Sequence, residues 1–167
     1  MTDFLQPILI NPALRLLGWL PGVLVRRIFN SDRMSKLIRF DVQPRGDQLA
    51  FHGGEGSHMR VYLQLENGAP FAVEIDRLKV EVYAFGRLGE LWHLEPLQLS
   101  PGQRRILMID GLFGIQQSPS VLKNLREGRG ALRIMAVLTS KVGRSVVNTG
   151  QLEGITAKCY NVPEQAA

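Results

Sequence analysis

Two stretches of the sequence alternate between apolar and polar residues, and this pattern limits the chain to a mainly β fold. From Met59 to Glu66 every second residue is apolar, and a second alternating run extends from Phe71 to Ala84. A two-residue period places the apolar side chains on one face of a strand, so each run predicts a half-buried strand. The pair Asp76-Arg77 breaks the phase of the second run, which predicts a β-bulge or a crossing between sheets.

Further segments with strand-like patterns follow at regular intervals. They are 91–99, 104–112, 131–139, 145–149 and 154–160, with weaker patterns at 37–42 and 48–51. Turn-forming residues such as Ser100-Pro101-Gly102 separate them, and Gly86 is placed to end the second alternating run. Short strands at this spacing predict an all-β chain folded as an antiparallel sandwich or barrel.

One short helix interrupts the predicted strands. Ser118-Pro119 supplies a helix cap and a proline in the first turn, and Gly128 is placed to end the helix. Lys123, Arg126 and Arg129 make its end basic. Because cations there complement the helix dipole, we favour a solvated helix end over an anion site.

A strongly apolar segment precedes the strands, and we predict that it is helical. Its candidate anchoring side chains are Phe4, Leu9, Leu14, Leu17, Trp19, Leu20, Leu24 and Phe29. Arg15 and three prolines interrupt the segment, so a helix lying in the membrane interface suits it better than one that crosses the membrane. Its first residues carry Asp3 and no Lys or Arg, so we expect no secretory signal peptide.

Cations lie within the apolar segment and on its C-terminal side, and we expect them to attract anionic lipid. They are Arg15, Arg26, Arg27, Arg33, Lys36 and Arg39. If the segment crosses a membrane, this charge places the following domain on the cytoplasmic side. Docking into a protein partner and packing on the chain's own domain are the two alternatives for residues 1–36.

The formal net charge of +5 does not predict nucleic-acid binding, because the excess is concentrated in two short stretches, 15–39 and 123–144. Neither stretch has the interleaved aromatic residues that single-strand binders use for stacking. We therefore expect no nucleic-acid partner. Cys159, the single cysteine, excludes an internal disulfide and any paired-cysteine zinc site.

No arrangement of residues in the sequence predicts an enzyme. His52 and His58 flank a glycine-rich loop and His93 follows Trp92, and none of the three belongs to a known metal-binding motif. The sequence also contains no nucleophile elbow and no glycine-rich phosphate loop before a helix. We expect no catalytic residue, no metal and no cofactor.

Several features, taken in order, resemble one known family. A strand at 61–66 runs into Asn67, and Pro70-Phe71 lies just beyond. The next strand contains Ile75-Asp76-Arg77-Leu78 and ends at Gly86, and Leu99-Ser100-Pro101-Gly102 precedes the strand at 104–109. In this order they resemble the late-embryogenesis-abundant type 2 (LEA-2) family, also described as the water-stress and hypersensitive-response (WHy) domain. Family members usually show Asn-Pro-Asn where this chain has Asn67-Gly68-Ala69-Pro70.

The resemblance implies an immunoglobulin-like or fibronectin-like antiparallel β-sandwich that is tethered to a membrane by an N-terminal segment. It brings no catalytic residues. The roles it implies are stress protection and the binding of partners or lipids.

These expectations divide the chain into an N-terminal anchor (1–36), a LEA-2/WHy-like sandwich (37–160) and a C-terminal tail (161–167). The predicted function is a non-catalytic, membrane-associated binding module on the cytoplasmic side. The alternatives are a structural subunit docked into a larger assembly through the apolar segment, and a lipid-binding carrier domain. The sequence leaves homo- and hetero-oligomers open.

Overall fold

The strands of this chain form two sheets. The computed structural model describes residues 29, 31–42, 49–53, 57–112 and 119–162. Within these residues the elements, in chain order, are α1 (Ser31–Leu37), β1 (Ile38–Val42), β2 (Leu49–His52), β3 (His58–Asn67), β4 (Val73–Ala84), β5 (Gly86–His93), β6 (Leu97–Leu99), β7 (Arg104–Leu112), α2 (Pro119–Arg126), β8 (Gly130–Ser140), β9 (Gly143–Ile155) and β10 (Ala157–Tyr160).

The first sheet, sheet I, is built around β3. Strand β7 pairs antiparallel with β3 over nine residues along one edge. The opposite edge of β3 is shared by two shorter strands that lie end to end, β2 along residues 58–61 and β1 along residues 63–67. Strand β10 then pairs with β2 in parallel.

The second sheet, sheet II, repeats this plan around β4. Strand β8 pairs with one edge of β4, and β9 pairs with β8. The other edge of β4 is shared by β5, along residues 78–84, and β6, along residues 73–75. All of these pairings are antiparallel.

The alternating residues of β3 and β4 form the core between the two sheets. Met59, Val61, Leu63 and Leu65 of β3 are fully buried, as are the inward-facing residues of β4. Full burial of one such side chain contributes about 1.5–3 kcal/mol. The sequence period therefore predicted which face of each central strand lies inside, and the two-sheet β-sandwich is the fold observed.

The phase break at Asp76-Arg77 is confirmed as a β-bulge. The register between β4 and β8 shifts between Ile75 and Arg77. The shift turns Asp76 outward, where its carboxylate accepts a hydrogen bond from Thr139 (2.9 Å) and lies 3.5 Å from Arg144.

Three predicted strand boundaries were wrong. The segment predicted as one strand at 91–99 is two strands, β5 and β6, because Pro96 lies between them and has no N–H to donate to a ladder. The segments at 145–149 and 154–160 are instead a long β9 followed by β10. Gly150 and Gly154 have φ values of 73° and 76°, a conformation that glycine adopts readily. These glycines therefore allow β9 to continue where other residue types would end the strand.

Two further predictions need correction. The parallel pairing of β10 with β2 departs from the expected all-antiparallel arrangement. Leu37, predicted to begin a strand, is instead the last residue of α1, and Met34 of that helix is buried in the core. The packed part of the chain therefore begins upstream of residue 37. The predicted helix after Pro119 is confirmed as α2, and its proposed cap, Ser118, lies outside the described residues.

Candidate functional site

Asn67 joins the two sheets where β3 ends and β4 is about to begin. Its side chain is fully buried, and its amide nitrogen donates to the carbonyl oxygens of Phe71 (2.9 Å), Leu99 (3.0 Å) and Ser100 (3.2 Å). Its side-chain oxygen accepts from the N–H of Ala69 at 2.9 Å. One amide thus satisfies backbone groups from two segments, the β3–β4 connection and the end of β6, which fixes this end of the sandwich. We call it the Asn67 end.

The chain from the N-terminal segment enters the sandwich at the Asn67 end. The N–H of Gly68 donates to the carbonyl of Leu37 at 2.8 Å, and a Cβ at Gly68 would lie 2.9 Å from that oxygen. Phe29 is half-buried, with its ring edge-on to Phe71 at 5.6 Å between centroids. Phe29, the last of the candidate anchoring side chains, therefore contacts the domain. The other anchoring residues, Phe4 to Leu24, lie outside the described residues.

Cations gather at the Asn67 end from three parts of the chain. The predicted basic flank supplies Arg33, Lys36 and Arg39, all exposed, whereas Arg15, Arg26 and Arg27 lie outside the described residues. The start of β7 adds Arg104 and Arg105, and the β8–β9 turn adds Lys141 and Arg144, which belong to the basic stretch 123–144. None of these four was among the predicted site residues.

Only some of this charge is neutralised by other described residues. Arg104 lies 3.3 Å from Glu66, and Arg144 lies 3.5 Å from Asp76. Lys36, Arg39 and Arg105 form no ion pair with another described residue. The Asn67 end therefore presents a net positive surface next to the point where the N-terminal segment joins.

The second predicted basic group lies elsewhere in the molecule. Lys123, Arg126 and Arg129 are exposed at the end of α2. Arg129 lies 3.3 Å from Glu127 and donates to Asn124 at 3.4 Å, so part of its charge is balanced locally. Arg129 lines a cavity with Phe85, at the end of the sandwich where β4 passes into β5. The structure therefore does not bring the two predicted basic groups together.

A buried carboxylate on the outer face of sheet II was missed by the sequence analysis. Glu81 points outward, yet it is only 6% exposed because neighbouring side chains cover it. Lys79 donates to it at 2.8 Å and the Tyr83 hydroxyl donates at 2.8 Å. Arg87 (3.5 Å) and Arg133 (3.9 Å) complete the cluster.

These partners stabilise the ionised form of Glu81. The hydrogen bonds from Lys79 and Tyr83 lower the pKa of Glu81 below its ordinary value of 4.5 and outweigh its burial, which acts in the opposite direction. A sequence signal existed, because Lys79, Glu81 and Tyr83 alternate on the polar face of one strand. That alternation alone did not predict a buried cluster, because Arg87 on β5 and Arg133 on β8 approach Glu81 only through the pairing of these strands with β4.

Beside this cluster the outer face of sheet II is apolar. Trp92 is 44% exposed and lies under the Lys79 ammonium, 5.5 Å from the ring centroid, while its indole N–H donates to Glu90 at 3.0 Å. A shallow groove of about 160 Å³ runs alongside and is lined by Arg77, Lys79, Trp92, Met135, Ala136, Val137 and Val146. Such an exposed apolar strip with a charged rim is typical of an interaction surface.

Phe85 forms the tip of the β4–β5 hairpin, at the end of the sandwich opposite Asn67. It is 81% exposed and has a φ of 63°, a left-handed conformation that is rare for a bulky side chain. Arg87 and Arg129 lie around it and line a cavity of about 330 Å³. The sequence predicted that Gly86 ends a strand. Instead, Gly86 is the first residue of β5, which runs back along β4.

The histidines do not assemble a metal site among the described residues. His52 and His58 are cross-strand neighbours, His52 stacks on Tyr160 at 4.7 Å between centroids, and His58 lies 3.8 Å from Asp110. No group of three or more His, Cys, Asp or Glu in the described ranges is arranged to hold a metal ion. In the same part of the chain, no helix is both long and apolar enough to span a bilayer.

Comparisons with known proteins return structural likenesses only. No family model and no curated protein matches the sequence. Among solved structures, the structural genomics target SoR45 is 11% identical, with a TM-score of 0.49 over 72% of this chain and 87% of that one. A putative late embryogenesis abundant protein solved in solution is 13% identical, with a TM-score of 0.44 over 86% of this chain and 91% of that one.

A third similar structure is the C-terminal domain of wzt, which is 8% identical with a TM-score of 0.42 over 73% of this chain and 74% of that one. At these identities and scores, none of the likenesses assigns a function to this chain.

Proposed function

We propose that this chain is a non-catalytic β-sandwich binding module of the LEA-2/WHy type, held at an anionic membrane surface on the cytoplasmic side by its N-terminal segment. The observation that carries the proposal is the basic Asn67 end. Cations from α1, β1, β7 and the β8–β9 turn lie there, beside the point where the apolar segment joins the domain.

The placement of the unneutralised cations supports this orientation. Each Lys or Arg near an anionic bilayer contributes about 1 kcal/mol of attraction. Lys36 and Arg39 are exposed and form no ion pair with another described residue. A membrane-embedded apolar segment would hold these side chains next to lipid headgroups, because Phe29 and Leu37 fix the chain to this end of the sandwich.

The LEA-2/WHy part of the proposal rests on the sequence resemblance and on Asn67. That residue begins the part of the pattern where family members usually show Asn-Pro-Asn. Its buried side chain bonds to both Phe71 and Leu99, two residues that belong to the same pattern. The turn at Ser100-Pro101-Gly102 closes with a bond from Gln103 N–H to the Ser100 carbonyl at 3.0 Å.

Co-sedimentation of the full chain with vesicles of phosphatidylcholine and phosphatidylserine tests the membrane proposal. The variant with Lys36→Gln and Arg39→Gln should bind about thirtyfold more weakly, because two attractive charges of about 1 kcal/mol each are lost. The matched control, Lys123→Gln with Arg126→Gln, removes the same charge from the exposed end of α2 and should change binding less than about twofold.

Binding of the unchanged chain should also weaken as salt is added, since ions screen the headgroup charges. Equal losses in the two variants would contradict the orientation proposed here. Failure of the unchanged chain to bind at low salt would contradict the membrane function itself.

A second candidate function, a structural subunit of a larger assembly, is favoured by the exposed groove beside Trp92. A protein partner that covers this groove would bury Trp92 and Val146. Trp92→Ala with Val146→Ser should then remove a stoichiometric partner from affinity-purified chain and leave vesicle binding unchanged. If no stoichiometric partner co-purifies with the unchanged chain, this candidate is wrong.

A further inference from the structure

Strand β7 is a long and regular edge strand with an unusual outer face. In the described part of the chain it pairs only with β3, over nine residues without a register shift. Its outward side chains are Arg104, Ile106, Met108, Asp110 and Leu112. Ile106 is 44% exposed and Met108 is 50% exposed. Proteins usually protect such an edge with a charge, a proline or a bulge, because it can pair with another strand.

The other long edge strands are interrupted. Strand β9 shifts register against β8 at two places, and β5 shifts against β4 after Val82. Bulges of this kind twist an edge away from further pairing. Regularity and exposed apolar side chains therefore coincide on β7.

The order of side chains along β7 is complementary to itself. The outer face has a cation at Arg104, two apolar residues at Ile106 and Met108, and an anion at Asp110. An antiparallel copy related by a two-fold axis at Leu107 places Arg104 opposite the partner's Asp110. The same axis places Ile106 opposite the partner's Met108. Opposite charges and apolar pairs facing each other across antiparallel strands each stabilise a sheet.

The match continues into the neighbouring strands. On sheet I, Arg39 is the cross-strand neighbour of Glu66, and Glu66 is the neighbour of Arg104, 3.3 Å away. Across the dimer interface, Arg104 faces the partner's Asp110, which is followed by the partner's Arg60. Within each chain, Arg60 and Asp110 lie 2.8 Å apart. The resulting row of five alternates in sign, so no like charges adjoin.

Other registers lose this complementarity. An axis at Met108 places Arg104 opposite the partner's Leu112 and Ile106 opposite the partner's Asp110. An axis at Ile106 places Arg104 opposite the partner's Met108. A slip of one residue would place the outward-facing side chains of one copy opposite the inward-facing side chains of the other.

We propose that two copies of this chain pair antiparallel through β7, about a two-fold axis at Leu107, to form one continuous sheet from both copies of sheet I. The occupant of the edge is a second copy of the chain, because the complementary charges come from the same strand. Because the strands pair antiparallel, the two Asn67 ends lie at opposite ends of the dimer. The dimer is therefore proposed for the chain in solution and does not depend on membrane binding.

Sedimentation velocity of the full chain and of two charge variants tests the dimer. The unchanged chain should sediment as a dimer. Arg104→Asp creates two pairs of facing carboxylates in the dimer, and Asp110→Arg creates two pairs of facing cations, so each variant should dimerise at least about tenfold more weakly. An equimolar mixture of the two variants restores opposite charges at both positions and should again sediment as a dimer.

Matched controls on sheet II are Arg144→Asp and Asp76→Arg, which break a comparable ion pair away from β7. Both should remain dimeric. If either β7 variant fails to fold, Ile106→Lys replaces it, because that exposed side chain faces the partner's Met108 and a lysine there opposes edge pairing. A monomeric unchanged chain, dimeric single variants or a monomeric mixture would each overturn the proposal.

Discussion

Asn67 and Glu81 are both buried polar side chains on central strands, but the groups that satisfy them differ in kind. Asn67 bonds to backbone atoms, whose positions are fixed by the strands and turns they belong to. Glu81 is satisfied mainly by the ends of long side chains: Lys79, Tyr83, Arg87 and Arg133. The amide fixes how the two sheets are connected, whereas the carboxylate holds together one outer face.

The difference shows that burial alone does not describe the role of a polar group. Loss of Asn67 would remove the side-chain donor to the buried carbonyl oxygens of Phe71 and Leu99 at the junction of the sheets. Loss of Glu81 would leave cations that can turn toward solvent. The first change should therefore cost more than the second. Three predictions test this ranking, and a fourth concerns the far end of β4.

The largest effect is expected for Asn67→Leu. The substitution removes the donor to the buried carbonyl oxygens of Phe71 and Leu99, and each unpaired buried group costs about 1–3 kcal/mol. The Ser100 carbonyl also loses this donor but still accepts from the Gln103 N–H. We expect the free energy of unfolding to fall by about 3–5 kcal/mol in a denaturant titration. The matched control is Asn148→Leu on the exposed part of β9, which should cost less than about 1 kcal/mol. A similar cost for both would remove the special role of Asn67.

Glu81→Leu should destabilise the protein by about 1–3 kcal/mol, because Lys79, Arg87 and Arg133 lose their common anion but retain access to water. Glu81→Gln should cost less, since the amide still accepts from the Tyr83 hydroxyl. Denaturant titrations of both variants would measure the difference. Glu90→Gln, on the same face but more exposed, is the control and should cost about 0–1 kcal/mol. A cost for Glu81→Leu equal to that for Asn67→Leu would contradict the ranking.

Acidic pH should change the stability contribution of Glu81 but not that of Asn67. The pKa of Glu81 in the folded state lies below its ordinary value of 4.5, so its ionised form stabilises the folded protein above that pH. This contribution is lost as the pH falls from 4.5 through the lowered folded-state pKa. Unfolding free energies measured against pH should therefore converge for the unchanged chain and Glu81→Gln in acid. They should stay parallel for the unchanged chain and Asn67→Leu.

The smallest effect is expected at the far end of β4. Near Asn67 the left-handed turn position is a glycine, Gly102 with φ of 71°, whereas at the hairpin tip it is Phe85 with φ of 63°. Asn adopts this conformation more readily than Phe, so Phe85→Asn should stabilise the protein by about 0.5–1 kcal/mol. Thermal unfolding would detect the change. A stability loss would show that the Phe85 side chain makes contacts that outweigh the backbone strain.

Part of the Asn67 end could be predicted from the sequence. Asn67 is followed by turn residues, and its position in a family-like pattern marked it before the structure did. Arg33, Lys36 and Arg39 follow one another closely, so their grouping was visible too. Arg104 and Arg144 could not be added from the sequence, because they are far away along the chain and reach this end only through the pairing of β7 with β3 and of β9 with β8.

The outer faces were harder to predict. Sequence alternation assigned Glu81 to a polar face, where a carboxylate is ordinarily solvated. Its burial depends on Arg87 from β5 and Arg133 from β8, two strands whose order in the sheet is not written in the local pattern. For β7, the sequence pattern predicted the strand itself. Only the order of strands in the sheet showed that this strand lies at an edge with its apolar residues exposed.

The sequence by itself determined the β class of this protein and the inward face of its two central strands, because a period of two is a local property of the backbone. It also determined the turn at Ser100-Pro101-Gly102 and the helix that begins at Pro119, because proline and glycine restrict or extend φ wherever they occur. Only the tertiary structure decided which strands are neighbours. That choice set the end-to-end placement of β1 and β2 on β3, the parallel pairing of β10, the burial of Glu81 and, among the described strands, the edge position of β7. Each depends on contacts between residues distant in the chain.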